Sequence, residues 1–204
     1  MSAKIVLRLN QLFITDNGEN NVQTPINCVM AMTWKTPNYE QPLLVSAPVT
    51  IKELTAKQSY QFPDLSDGRK MAFKTISDGT SLLEVELLAT KDVNIISKIV
   101  DALLSAGVEA AKGATGVLPW VGAALSALVT DAEISKEKIV QLAKGEITFD
   151  ESLSGQMNIP LRCGEEITIR ALNTFPGQPV PEIERVIKEG ADIGILTLVI
   201  DRAN

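Results

Sequence analysis

The chain has 204 residues, of which 45% are hydrophobic and 22% charged, with a net charge of -6. This composition supplies enough apolar material for a sizeable core, which excludes a disordered or fibrous chain. The acidic balance, with no cluster of lysine and arginine, lacks the basic surface that a phosphate backbone requires. We therefore expect no nucleic-acid partner, and no binding to anionic lipid through charge alone.

The N-terminal residues and the two cysteines suggest an intracellular setting. Met1 to Lys4 lead directly into a strand-like stretch that contains Arg8, which interrupts the apolar core of a secretory signal. Cys28 and Cys163 lie far apart without metal-ligand spacing, which favours two reduced core side chains over the alternative of a disulfide. We expect a cytoplasmic protein, and release without a signal peptide stays open.

A hydrophobic period of two dominates the first ninety residues. Leu83, Val85 and Leu87 alternate with Glu84 and Glu86, which is the pattern of a half-buried strand. Similar alternation occurs three more times before this point, with turn-forming pairs of aspartate or asparagine and glycine between the runs. These patterns predict about five to seven short antiparallel strands.

The period changes to three and four after Asp92, which is a candidate N-cap. A first amphipathic helix is expected from Asp92 to about Lys112, and a second from Pro119 to about Thr130. A third, short helix is expected from Ser135 to Gly145, with Ile139 and Leu142 as its buried positions.

The period of two returns after Gly145, so the strands resume. The predicted fold class is α+β, mainly β: an antiparallel β-sandwich, C2-like or immunoglobulin-like, with an inserted apolar helical hairpin plus a short third helix. We expect a single domain over 1–204. Its first sandwich part is 1–91, its helical insertion is 92–145, and 146–204 completes the sandwich.

The residues for common catalytic chemistry are missing from the sequence. Histidine is absent, which removes the most frequent general base and metal ligand. None of the familiar glycine-rich phosphate loops follows a strand. We expect no enzyme and no cofactor, because an enzyme would have to rely on carboxylates alone, as glycosidases do.

Carboxylates cluster in three predicted loops. The first loop contains Asp16 and Glu19, the second Asp64 and Asp67, and the third Asp78. If these loops converged at one end of the sandwich, their oxygens could bind Ca²⁺, which takes six to eight oxygen ligands. The favoured interpretation is that aspartate is a good turn residue beside glycine. The calcium-ligand candidates are Asp16, Asp64, Asp67 and Asp78.

The most informative stretch is residues 113–130, which contain no charge. Gly116 and Pro119 shorten its regular helix to about twelve residues, some 18 Å, which is too short to span a bilayer. The favoured interpretation is a helix buried against the sheet or a partner, and the alternative is a hairpin that inserts into a membrane on activation. The residues expected to make either contact are Leu118, Trp120, Val121 and Leu125.

Two hypotheses of function follow from these patterns. The first is a non-enzymatic protein-interaction or self-assembly module, in which a rigid sandwich recognises another protein or a copy of itself through an apolar contact. The alternative is a membrane-active or pore-forming, toxin-like protein that is stored in soluble form.

Overall fold

The computed structural model describes residues 3–19, 21, 23–35, 43–64, 70–77, 79–113, 121–122, 124, 126, 128, 139–150, 152–171, 174–175, 178–179 and 183–203. These residues form one bounded helix, α1, and fourteen strands. The helix is Val93–Gly113. The strands are β1 Ala3–Ile14, β2 Ile26–Lys35, β3 Leu43–Val45, β4 Val49–Leu54, β5 Ser59–Gln61, β6 Met71–Ser77, β7 Ser81–Thr90, β8 Ile139–Phe149, β9 Gly155–Cys163, β10 Ile167–Ala171, β11 Thr174–Phe175, β12 Gln178–Pro179, β13 Ile183–Ile187 and β14 Asp192–Ala203.

Ten strands form a single curled antiparallel sheet. Its order is β3-β2-β7-β8-β9-β14-β1-β5. Strand β4 also pairs with β2, on the same side as β3, and β6 also pairs with β1, on the same side as β5. Strands β10 and β13 form a separate pair, as do β11 and β12. All these pairings are antiparallel, as the hairpin turns of the sequence predict.

The curled sheet divides into two halves where β8 meets β9. These strands share two residue pairs, Ala143 with Cys163 and Lys144 with Arg162, whereas β7 and β8 are paired from Ser81 to Thr90. The two halves therefore turn towards each other and enclose a common core, in which the indole of Trp34 lies edge-on to the rings of Phe73 and Phe149. Such edge-to-face contacts add stability beyond the area that they bury.

Gly145 lies at this divide and allows the close approach of the two strands. A Cβ atom at this position would lie 2.7 Å from the backbone oxygen of Pro160 and 2.9 Å from Cδ2 of Leu161. Backbone cannot move aside as a flexible side chain can, so the divide requires glycine.

Helix α1 packs on the outer face of β2 and β7. Ile95, Ile96, Ile99 and Leu103 are buried against a patch of the sheet formed by three apolar side chains. The helical spacing of these residues places them on one face, and their burial is the main source of the helix's stability. The three sheet residues are Val29, Ala31 and Leu88.

The expected helical hairpin and third helix are wrong. The described residues contain one helix with defined bounds, α1, and residues 139–145 of the expected third helix form the first part of β8. Ile139 and Leu142 are buried as expected, but in different clusters: Ile139 lies under α1 and Leu142 lies in the core inside the curl. A spacing of three puts two residues on opposite faces of a strand, and on one face of a helix.

The β-rich fold is consistent with the predicted β-sandwich, and both of its halves belong to one hydrogen-bonded, curled sheet. The mainly β, antiparallel character of the fold is confirmed. Cys28 and Cys163 are free and buried, as expected for small core side chains rather than a disulfide.

Replacing Gly145 by alanine should destabilise the fold by about 1 to 3 kcal/mol, because the added methyl group meets backbone of β9. The measurement is urea-induced unfolding followed by tryptophan fluorescence. Gly122→Ala is the matched control: Gly122 has helical conformation, and a Cβ there would meet nothing within 4 Å. We expect that control to match or slightly exceed the parent in stability. An equal loss in both variants would contradict a close approach at Gly145.

Candidate functional site

A pocket of about 520 Å³ opens at the end of the curled sheet, beside the start of α1. It lies between the β1–β2 loop, the junction of β7 with α1, the start of β8 and the start of β10. Its volume falls in the range of sites that hold small ligands. Its lining residues come from these four segments and from the first residue of β2, and are Asn17, Gly18, Glu19, Ile26, Ala89, Thr90, Lys91, Asp92, Val93, Asn94, Val140, Leu142 and Ile167.

The floor of the pocket is apolar. Ile26, Ala89 and Leu142 are buried side chains that belong to the core inside the curl. Val93, at the first position of α1, also lines the pocket and is 64% exposed, more than any other large hydrophobic residue in the described part of the chain. An apolar floor with an exposed apolar residue beside it favours binding of an apolar group.

The junction of β7 with α1 is fixed by two side-chain hydrogen bonds. Thr90 Oγ1 accepts from the backbone N–H of Asp92 at 3.1 Å, and Asp92 Oδ1 accepts from the backbone N–H of Asn94 at 3.0 Å. Asp92 is therefore the N-cap of α1, as its position before the apolar period predicted. This cap places the first turn of the helix, with Val93, at the pocket.

The β1–β2 loop is held in place by its own side chains. Asn17 is buried, donates from Nδ2 to the backbone oxygen of Thr24 at 2.7 Å, and accepts from the backbone N–H of Glu19 at 3.3 Å. Gly18 has φ +79°, a conformation that glycine adopts without strain, and its N–H donates to Asp16 Oδ1. The turn that follows from these contacts directs the chain past the pocket.

The side chain of Arg185, in β13, holds the same loop in place through contacts between distant parts of the sequence. Its guanidinium pairs with the carboxylate of Asp16, and its Nη2 also donates to the backbone oxygen of Glu19 at 2.9 Å. A planar guanidinium that forks onto two acceptors holds them in a defined geometry. The loop is thus preorganised before any ligand arrives.

The mouth of the pocket carries charges of both signs. Lys91 Nζ lies 2.9 Å from Glu19 Oε1. The Glu19 side chain is 13% exposed, whereas that of Lys91 is 78% exposed. The carboxylate is therefore fixed in the wall, and its ammonium partner extends into solvent.

A second group of charges lies on the outer face of the sheet near the β8–β9 divide. Glu84 and Glu86 are both buried; Glu84 accepts from Thr33 Oγ1 at 3.0 Å and pairs with Lys35, and Glu86 accepts from Gln141 Nε2 at 2.8 Å. Burial raises the pKa of Glu86, as does the nearby Glu84 carboxylate, whereas the hydrogen bond from Gln141 and the charge of Lys144 oppose the increase. Both buried carboxylates have hydrogen-bond or ion-pair partners on neighbouring strands, so we interpret them as structural rather than functional groups.

The predicted site residues are placed as follows. Val121 is fully buried beneath α1, in the cluster that contains Leu103 and Ile139. Asp16 pairs with Arg185, and Asp64 lies 3.9 Å from Lys70. The other candidates lie outside the described residues: Leu118, Trp120, Leu125, Asp67 and Asp78.

The calcium hypothesis and the predicted partner or membrane contact of Leu118, Trp120 and Leu125 stay predictions. Among the residues that the structure describes, no group of three or more acidic or cysteine side chains is placed to hold a metal ion. In the same part of the chain, no helix combines the length and the apolar character needed to cross a bilayer.

Sequence reasoning did not assemble the pocket. It grouped Asp16 and Glu19 in a cluster of loop carboxylates that could bind calcium, it identified Asp92 as an N-cap, and it missed the ion pair of Arg185 with the first loop. Ion pairs between residues 169 positions apart leave no local signal. A comparison of the chain with protein-family models and with curated proteins found no match.

Replacing Glu86 by glutamine should change how stability depends on pH. Because the pKa of Glu86 is raised in the folded state, its contribution to the free energy of unfolding is fully present below the usual pKa of 4.5. That contribution is lost as the pH rises through the folded-state pKa. As the pH rises from 4.5 towards neutrality, the variant should gain stability relative to the parent, by about 1.4 kcal/mol for each unit by which the folded-state pKa is raised. Urea unfolding across this range measures the gain.

Glu146→Gln is the control for that experiment, because it removes an exposed carboxylate from the neighbouring strand. A constant stability difference between Glu86→Gln and the parent at all pH values would contradict the assignment.

Proposed function

We propose that the protein is a non-enzymatic interaction module that binds an apolar group of its partner in the pocket beside α1. The observation that carries this proposal is the pocket itself, a cavity of about 520 Å³ with an apolar floor and the exposed side chain of Val93 at its mouth. Burial of apolar surface is the main driving force of such binding.

The shape of the pocket supports recognition of a single group rather than a flat contact. Its wall is built from strands of the curled sheet, from the capped start of α1 and from a loop that Arg185 holds. Sites with this rigidity bind at lower entropic cost, because little of the wall has to be ordered by the ligand.

A protein partner, either another chain or a second copy of this one, is the source that we propose for the apolar group. This keeps the interaction hypothesis of the sequence and replaces its contact: the pocket takes the place of the helical hairpin. The membrane-active alternative stays a prediction, and no contact among the described residues favours it.

The neutral probe 3-phenylpropan-1-ol should bind the pocket, and Val93→Ser should weaken its binding about three- to tenfold. Replacing valine by serine removes apolar contact at the mouth, at about 0.8 kcal/mol for each buried methyl-sized group. The measurement is titration followed by amide chemical shifts, with the largest changes expected at Gly18, Ala89 and Asn94.

Val108→Ser is the matched control, because Val108 lies on the same helix, is 54% exposed and is remote from the pocket-lining residues. Equal effects of the two substitutions, or the absence of shift changes around the pocket in the parent protein, would overturn the proposal.

A further inference from the structure

The charges at the pocket mouth indicate what kind of apolar group the site accepts, an inference that rests on the proposed function. Among the described lining residues there are two carboxylates, Glu19 and Asp92, and one ammonium group, Lys91. The nearby Asp16 is already neutralised by Arg185. The Glu19 carboxylate therefore lies at the mouth, directly above the apolar floor.

The two members of the Glu19–Lys91 pair differ in how firmly they are held. The backbone of Glu19 is fixed on both sides, since its N–H donates to Asn17 and its carbonyl oxygen accepts from Arg185. Its side chain is 13% exposed, and that of Lys91 is 78% exposed. A long exposed lysine keeps its charge well hydrated and gains little from such a pair, so another cation can replace it at low cost.

An anionic ligand is disfavoured at the same place. The start of a helix attracts anions through its free N–H groups, but here the Asp92 carboxylate already accepts from the N–H of Asn94. A ligand carboxylate placed beside Glu19 would be repelled by its charge, whereas a ligand ammonium would be attracted by it.

We propose that the pocket binds an apolar group that carries a protonated amine, with the apolar part on the floor formed by Ile26, Ala89 and Leu142 and the amine on Glu19 in place of Lys91. The amine donates hydrogen bonds to the Glu19 carboxylate, and the Lys91 ammonium moves into solvent. This chemistry occurs both in small amphipathic amines and in an apolar residue at the free amino end of a polypeptide.

The first test compares three probes with the same phenylpropyl body: 3-phenylpropylamine, 3-phenylpropan-1-ol and 3-phenylpropionate. Affinities come from titration of the full chain at neutral pH. The amine should bind about tenfold more tightly than the alcohol, because a hydrogen bond to a charged partner exceeds a neutral one by about that factor. The carboxylate should bind most weakly.

Substitutions of the ion pair should shift the amine affinity in opposite directions. Glu19→Gln should lower it about tenfold and leave the alcohol unchanged. Lys91→Met removes the competing cation and should raise the amine affinity severalfold. The matched control is Glu189→Gln, because Glu189 forms an ion pair of the same length, 2.9 Å to Lys144, on the exposed surface. That control should change neither affinity.

A further pair of probes separates the two sources of the amine. The peptide Phe-Gly-Gly-amide is compared with its N-acetylated form and with 3-phenylpropylamine. If a polypeptide amino end is the ligand, the free peptide should bind more tightly than the small amine, and acetylation should abolish binding. If the ligand is a small amine, 3-phenylpropylamine should bind more tightly than the free peptide, and the protein partner of the proposed function is then overturned.

The outcomes distinguish this inference from the proposed function. If the amine and the alcohol bind the pocket with equal affinity, or if the carboxylate binds most tightly, the apolar site stands and the assignment of an amine is overturned. If none of the three probes perturbs residues of the pocket, both proposals are overturned. A loss of amine affinity in Glu189→Gln equal to that in Glu19→Gln would show a general charge effect and would also overturn the assignment.

Discussion

The burial of β2 and β7 on both of their faces is the constraint on which the rest of the structure depends. Their inward side chains, such as Met32 and Leu87, fill the core inside the curl, while the outward Val29 and Leu88 lie under α1. Neither strand can slip by one residue, since that would exchange the two sets of side chains. The position of α1, and with it the start of the helix beside the pocket, is thereby fixed relative to the sheet.

The pocket combines local and distant determinants. The capping bonds of Thr90 and Asp92 are local, and they follow from residue types that commonly begin helices. The ion pair between Arg185 and Asp16 is not local, because it requires β13 to pass beside the end of β1. A pocket of this kind exists only after both the curled sheet and the β10–β13 pair have formed.

The sequence predicted the β character and the start of α1 because alternation and capping are local properties. Besides the helical hairpin, the third helix was wrong: over residues 139–145, Ile139 and Leu142 at a spacing of three were assigned to one face of a helix. In the structure each serves a different cluster, and a strand that is apolar on both faces has no alternation to reveal it. The pocket could not be predicted, because it depends on contacts such as that of Arg185, which have no signature along the chain.

The two cysteines give the curled sheet built-in reporters of its own opening. Cys28 lies in β2 and Cys163 in β9, so each half of the sheet contains one thiol. Burial raises the pKa of both thiols and keeps them out of reach of alkylating reagents while the native state persists. The order in which an alkylating reagent labels the two thiols therefore shows which half of the sheet unfolds first. No probe has to be added to the chain.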